Sequence, residues 1–371
     1  MKIISLLLLL LISLNAKYMD SKSCKECHDN IYYEHTSSMH SNSSLFKDEF
    51  HRKMKELNYP TTYDCARCHT PGAKNLAELI SGENQPSHNI RELDGVSCLY
   101  CHQIAKIQKG HKQNKNITTF DRPGKQMVYG TLKRTDVNDK HDSFSLNPIY
   151  KNSTVCMGCH SHKRNDTHDV EVCQISMNME KQTDCIGCHM QKSPGGVTKL
   201  NKKGRKEYSS HEFLGIKSRE LIKKAVELSL KQNGKDIELT IKNKMGHQIL
   251  LQPMRLKYVK TVVTRDGTVI WENFKNTPYE DKEVTFSKLF EDETGKQVYP
   301  PKASKIKYYT NLDMDKSKTV FYHIPDIQKG DIVTSTWFSY PIRPSLAKEL
   351  DITDQKMTKK YKGTTVQLLL N

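Results

Sequence analysis

The sequence predicts an α+β protein in two domains. An irregular, mainly α domain with little regular structure covers residues 17–215, and an all-β, sandwich-like domain covers residues 216–371, behind a leader at residues 1–16. Three observations carry this expectation. All eleven Cys fall before residue 190. Ten of them stand in five Cys-x-x-Cys-His segments separated by short polar stretches. After Asn233-Gly234 the chain changes to apolar/polar alternation punctuated by Gly, Pro and Asn, the period of half-buried strands.

The leader comes first. Met1-Lys2 is followed by an apolar run over residues 3–14, then Asn15-Ala16, and a polar stretch opens at Lys17. A run of about a dozen residues is short of the roughly 20 that cross a bilayer as a helix, so cleavage after Ala16 is favoured over a retained anchor. No Cys follows the small residues, which argues against a lipoprotein. No later apolar run approaches spanning length, so the mature chain is expected to have no membrane span and to work in the periplasm.

The Cys spacing then fixes the chemistry. Cys24, Cys27 and His28 form the first segment, Cys65, Cys68 and His69 the second, and Cys98, Cys101 and His102 the third. Cys156, Cys159 and His160 form the fourth, and Cys185, Cys188 and His189 the fifth. Two thiols three positions apart reach the two vinyl groups of one haem as thioethers, and the adjoining His turns its imidazole onto the iron. The expected cofactors are therefore five haem c. Structural zinc would pair Cys-x-x-Cys knuckles into closed four-ligand sites, leaving a fifth pair over and no need for His after each. A disulfide framework likewise requires no His at a fixed place.

Five macrocycles within residues 24–189 leave too thin a protein layer to bury each one separately. The haems are expected to supply much of the core themselves, with short helices around the motif turns. The longest gap, between His102 and Cys156, is rich in Lys, Asn, Gly and Asp and reads as a surface excursion with little core. The net charge of +16 is partly offset by the cofactors. Two propionates per haem against a ferric centre remove about five charges when oxidised and about ten when reduced. No nucleic-acid-binding motif accompanies the basic excess, so nucleic acid is not an expected partner.

Whether the irons are closed decides between wire and enzyme. Iron between two axial His exchanges electrons, whereas iron with a vacant position can bind a substrate. Eleven of the sixteen His lie outside the motifs, more than the five needed to close every iron. Met39, Met157 and Met190 adjoin the motifs and read as packing on haem faces. Cys173, the odd thiol, reads as a small buried apolar group, with a thiolate beside an iron as the sharper alternative.

In the C-terminal half the apolar positions over residues 220–231 suit either a short helix or the start of a strand. Ile237, Leu239 and Ile241 alternate, and Asp266-Gly267 is a turn between strands over 258–263 and 269–271. Further strands are expected over 320–323, 331–338 and 366–370. No phosphate loop or catalytic triad is present, and the expected role is a lid or docking module packed on the haem domain.

At these residues the chain resembles the exported multihaem cytochromes grouped around the cytochrome c-552/c-554 family, pentahaem with a C-terminal β-sandwich. The segment from Cys24 to His40, the approach Asp94-Gly95-Val96-Ser97 to Cys98, the last motif with Met190, and Val172-Cys173 with Glu180 carry the likeness. So do Ser210-His211 with Phe213 and Gly215, Gly246-His247 with Pro253 and Arg255, and the stretch 340–347. The resemblance implies His40 and His211 as distal iron ligands and raises His247 as a third. His162 and His88 complete the candidate set from ligand abundance. Gln248 and the residues after it depart from the family's usual turn behind the Gly-His pair. No Cys-x-x-Cys-Lys segment appears, so the lysine-ligated haem of pentahaem nitrite reductases has no counterpart here.

The first expectation is an electron carrier with mostly bis-His haems. Its partners would be redox proteins: quinol-linked or periplasmic cytochromes, or a terminal reductase. The alternative is a respiratory oxidoreductase acting on a small nitrogen or sulfur compound at one open haem. The sequence leaves the oligomeric state open.

Overall fold

The Cys-x-x-Cys-His segments turn the chain because each closes one helical turn on itself. In the computed structural model, which describes residues 20–58, 62–81, 90–119, 127–133, 143–175, 185–202 and 204–371, the motif His N–H bonds back to the first Cys carbonyl. The distances are 2.9 Å for His28 to Cys24, 3.0 Å for His69 to Cys65 and 2.8 Å for His160 to Cys156. Short α-helices Ala66–His69, Cys98–His102 and Cys185–His189 result, with 3-10 turns at Ser21–Glu26 and Thr154–Gly158. Side chains three and four positions apart share a helix face, so both thiols and the imidazole of a motif point the same way.

Two longer helices, Asp29–Ser37 and Glu49–Asn58, fill in around the motifs. Besides the short helices Leu76–Ser81 and Ile90–Leu93, the rest of this half is built mainly of strand pairs, each too short to announce itself as a pattern. Ile104–Gln108 pairs with Lys115–Thr118, His162–Arg164 with Glu171–Gln174, and Lys192–Pro194 with Glu207–Ser209. The excursion after His102 is thus anchored more firmly than its composition suggests: Ile104 and Tyr150 are buried, and the Tyr150 hydroxyl donates to the carbonyls of Cys101 and Ile104.

Asp94 ties the first motif to the third. Its carboxylate accepts from the Ser21 N–H at 2.9 Å and the Ser21 hydroxyl at 3.1 Å, and the Cys98 N–H reaches the Ser21 oxygen at 3.2 Å. Gly95 beside it has φ +61 and meets the His40 carbonyl so closely that a Cβ would lie 2.5 Å away. Only glycine meets both demands, and the Val96 N–H completes the contact by donating to that carbonyl at 3.0 Å.

The C-terminal half begins with the helix Arg219–Lys224 and passes directly into the strand Val226–Asn233, so both readings of that segment hold. Val226–Asn233, Asp236–Asn243 and Ser317–His323 form one antiparallel sheet. A second sheet orders Thr268–Glu272, Leu256–Arg265, Ile332–Tyr340 and Tyr361–Leu369, with Thr285–Phe286 also on Leu256–Arg265. The two sheets share one core. Ile237, Leu239 and Ile241 from the first meet Val259, Val263, Val333 and Trp337 from the second, all essentially inaccessible to solvent. Asp266-Gly267 takes positive φ at both positions, the geometry of a two-residue hairpin loop that follows strand twist.

The halves are joined by shared packing. Met254, Ile342, Leu346 and Leu350 pack in one cluster with Leu45, Phe50, Tyr63 and Ala66 around the second motif. A small third sheet, Lys288–Glu291 with Gln297–Val298 and Lys305–Tyr309, brings Phe290 onto Val170. Among the described residues no helix is long and apolar enough to cross a membrane. The leader expected over residues 1–16 lies outside the described residues.

Candidate functional site

Among the described residues, the motif imidazoles His69, His102, His160 and His189 each have a second imidazole beside them. The His102 ring faces His211 at 6.3 Å between centroids with planes 24° apart, and His189 faces His247 at 6.4 Å and 11°. His160 meets His40 at 5.8 Å and 66°. His69 meets His51 at 3.8 Å. An iron–nitrogen bond of about 2 Å on each side, plus a little over 1 Å from nitrogen to ring centre, sets the two axial imidazoles of one iron about 6 Å apart. The rings at sites 3 and 5, those of the third and fifth motifs, fit that span, and site 4 comes close to it.

Hydrogen bonding settles which nitrogen is offered. The Nδ1 of His102 lies 2.7 Å from the Tyr129 carbonyl and that of His189 lies 2.5 Å from the Leu214 carbonyl. Opposite them, the Nδ1 of His211 lies 3.0 Å from the Ser209 carbonyl and that of His247 2.8 Å from the Gln248 carbonyl. A carbonyl only accepts, so Nδ1 carries the hydrogen and Nε2 keeps the lone pair that binds a metal. At site 2 the Nδ1 of His51 lies 3.0 Å from the Tyr63 hydroxyl, while the buried His69 Nδ1 has no hydrogen-bond partner among the described residues.

Burial keeps these rings neutral. It draws His40 and His211 down to about 3 and His51 and His247 to about 4. Neighbouring imidazoles add to the effect on His40 and His211, and Lys257, His189 and Arg255 add to it on His247. A neutral imidazole is the form that coordinates iron.

The thiols also connect the sites. Cys24 touches Cys98, Cys68 touches Cys159 and Cys156 touches Cys185, each pair within hydrogen-bonding reach. Phe213 links sites 3 and 4: its ring lies 4.3 Å from that of His40 and 5.7 Å from that of His211. It does so at φ +50, where a bulky residue pays about 1–2 kcal/mol in strain. Cys27 and Cys188, at the first and last motifs, are exposed.

Comparisons with known proteins bear on the family and the fold. Residues 23–103 match the family described as cytochrome c554 and c-prime. This stretch is a cytochrome c554/c-prime domain. With motifs continuing beyond it to His189, the chain is a multihaem c-type cytochrome. A penta-haem cytochrome c552 from Thermochromatium tepidum has a similar fold, with a TM-score of 0.75 at 20% identity over 95% of this chain and 99% of that one. A superoxide reductase from Nanoarchaeum equitans aligns with 39% of this chain and 93% of its own at 10% identity and a TM-score of 0.18, too low to relate the two folds. No curated protein sequence matches the chain.

Within this cytochrome, His40, His211 and His247 stand against motif imidazoles. His162 is placed differently: its Nε2 lies 2.8 Å from the Gly110 carbonyl and 3.0 Å from that of His111, partners that occupy the nitrogen a ligand would offer. His88 lies outside the described residues. Cys173 pairs with Lys163 across Glu171–Gln174 and His162–Arg164, and burial pushes its thiol up to about 11, away from thiolate. His51 was not among the candidates. Its signal was the buried face of Glu49–Asn58, where Phe50, Met54 and Asn58 recur at helical spacing and carry His51 inward with them.

Proposed function

We propose that this cytochrome is an exported periplasmic electron carrier with five haem c, held by Cys24 and Cys27, Cys65 and Cys68, Cys98 and Cys101, Cys156 and Cys159, and Cys185 and Cys188. His28, His69, His102, His160 and His189 are the proximal ligands. His211 closes site 3, His40 site 4, His247 site 5 and His51 site 2. The observation that carries this reading is the pair of imidazole couples at 6.3 and 6.4 Å, each with Nδ1 on a carbonyl. Bound haem iron supplies a reversible one-electron couple, and a second imidazole leaves it no open position for substrate.

The protein's part is to hold the cofactors close and dry. The Cys24–Cys98 contact brings site 1 to site 3, and His211, Phe213 and His40 span sites 3 and 4. From site 4 the Cys156–Cys185 contact reaches site 5 and the Cys68–Cys159 contact reaches site 2. Site 4 is thus the junction of a branched path, and the exposed Cys27 and Cys188 mark where partner redox proteins meet it. The leader agrees with attachment of haem c outside the cytoplasm. The sandwich, packed on the haems through Met254 and Leu346, serves as their lid.

One observation favours a second reading, reduction of a small nitrogen or sulfur compound. At 3.8 Å the His51 and His69 rings are too close to share an iron as they stand. His51, Tyr63 and the buried Asp48, whose carboxyl burial holds above its usual range, form a polar group beside that site. The spin state separates the readings. If His51 is a ligand, the oxidised protein shows site 2 low-spin and His51→Ala adds a high-spin fraction of one haem. If His51 lines an open site, the wild type already carries that fraction and His51→Ala does not raise it.

A further inference from the structure

Between the haem half and the sandwich lie two cations for which no carboxylate of the described residues is seen as a partner. Arg255 immediately precedes the strand Leu256–Arg265 and Lys257 lies in its first turn of pleat. Lys257 is buried to 7% exposure and donates from Nζ to the Ile249 carbonyl at 2.5 Å. Burial and the neighbouring Arg255 pull it down to about 7. Arg255 is drawn to about 10 by burial, and among the described residues no carboxylate counters that effect.

Several other buried or half-buried cations have an acidic partner among the described residues. Lys288 lies 3.3 Å from Glu171, Lys163 pairs with Asp64, Arg265 pairs with the buried Asp331, and Arg343 is drawn toward Glu349. Asp48, the buried carboxylate near site 2, faces His69 and Lys217. Burying a cation without a countercharge is strongly disfavoured, so the half-buried Arg255 and the buried Lys257 call for an anion that the described residues do not supply. Their position says which. Lys257 is tied to the Ile249 carbonyl just past His247, whose ring faces that of His189, and both cations bear on His247 and Arg255 on His160 as well, which puts the pair beside site 5 on its flank toward site 4.

We propose that Arg255 and Lys257 anchor the propionates of the haem bound through Cys185 and Cys188. The guanidinium offers a flat fork that matches a carboxylate, and the ammonium a point charge for the second one. This rests on the reading of site 5 as a haem closed by His247. The anchor would also clamp the sandwich to the haem layer, since both cations belong to the former. Both positive charges favour the reduced cofactor, so their removal lowers its potential.

The test is a spectroelectrochemical titration of purified, haem-loaded wild type, Arg255→Gln, Arg255→Lys and Lys257→Gln, with intact mass giving the haem count. Arg255→Gln is expected to keep its haems and low-spin spectrum while one couple loses about tenfold in its reduction constant, 59 mV for one electron. Arg255→Lys should recover most of that loss, and Lys257→Gln should shift the same couple by a smaller factor. If Arg255→Gln does not fold, Lys257→Gln decides alone. Unmoved potentials in haem-complete variants overturn the anchor. So does a wild-type couple that shifts with added nitrite or sulfate while that of Arg255→Gln does not, which assigns the cations to a free anion. Missing covalent haem, or a high-spin site 5 in the wild type, overturns the electron-carrier reading instead.

Discussion

The two halves of this chain are held together by different kinds of interior. In the sandwich, Ile237, Leu239, Ile241, Val259, Val263 and Trp337 form a core of side chains alone, reached by alternation along strands. In the haem half the buried residues around the motifs include His35, Ser38, Ser41, Ser44, Asp94, Ser97 and Gln103, and imidazoles and thiols face one another where aliphatic groups would otherwise sit. The difference teaches that one half can reach its fold by burying its own apolar surface, and the other is completed by what it binds. Where a cofactor is the core, polar residues line it.

The largest effect should come from withholding haem. Chain produced without haem attachment is expected to keep slow amide exchange over Asp236–Asn243, Leu256–Arg265 and Ile332–Tyr340 while residues 20–202 exchange freely. Equal protection in both halves would erase the contrast. Next, Trp337→Ala should cost about 3–5 kcal/mol as a cavity in a packed core, read by denaturant unfolding of the sandwich, with haem content and absorption unchanged. A parallel loss of haem would mean that the two interiors are one.

A smaller effect should appear on acidification. The folded imidazoles lie below their ordinary 6.5, at about 4 for His51 and His247 and about 3 for His40 and His211. The unfolded chain therefore takes up protons first as pH falls. The stability these groups contribute is whole above about pH 6.5 and fades toward pH 3 to 4. In the loaded protein iron competes with protons for the same lone pairs, so low-spin absorption should give way to high-spin only at or below that window. High-spin absorption appearing on mild acidification above pH 6 would contradict the assignment of these rings.

Most of this contrast was legible in residue order. The motif spacing marks out ten thiols and five imidazoles as the proposed attachment set because thioether chemistry needs that spacing, and the alternation at residues 237–241 announced a strand because burial on one face demands it. The short strand pairs of the haem half were not legible, since three or four residues carry no period. Nor was His51, whose inward direction depends on a helix marked by few apolar residues. The rings that meet the motif imidazoles can come from afar in sequence: His247 meets His189 from the far side of 57 intervening positions, and only the fold closes that distance. His162 shows the converse, a well-placed His in sequence whose Nε2 is engaged by backbone carbonyls.

The most direct test of the account is the intact mass of the purified, fully denatured protein. A chain beginning at Lys17 and carrying five covalent haems is predicted. A mass without covalent haem, or with zinc in the native protein in its place, would contradict it.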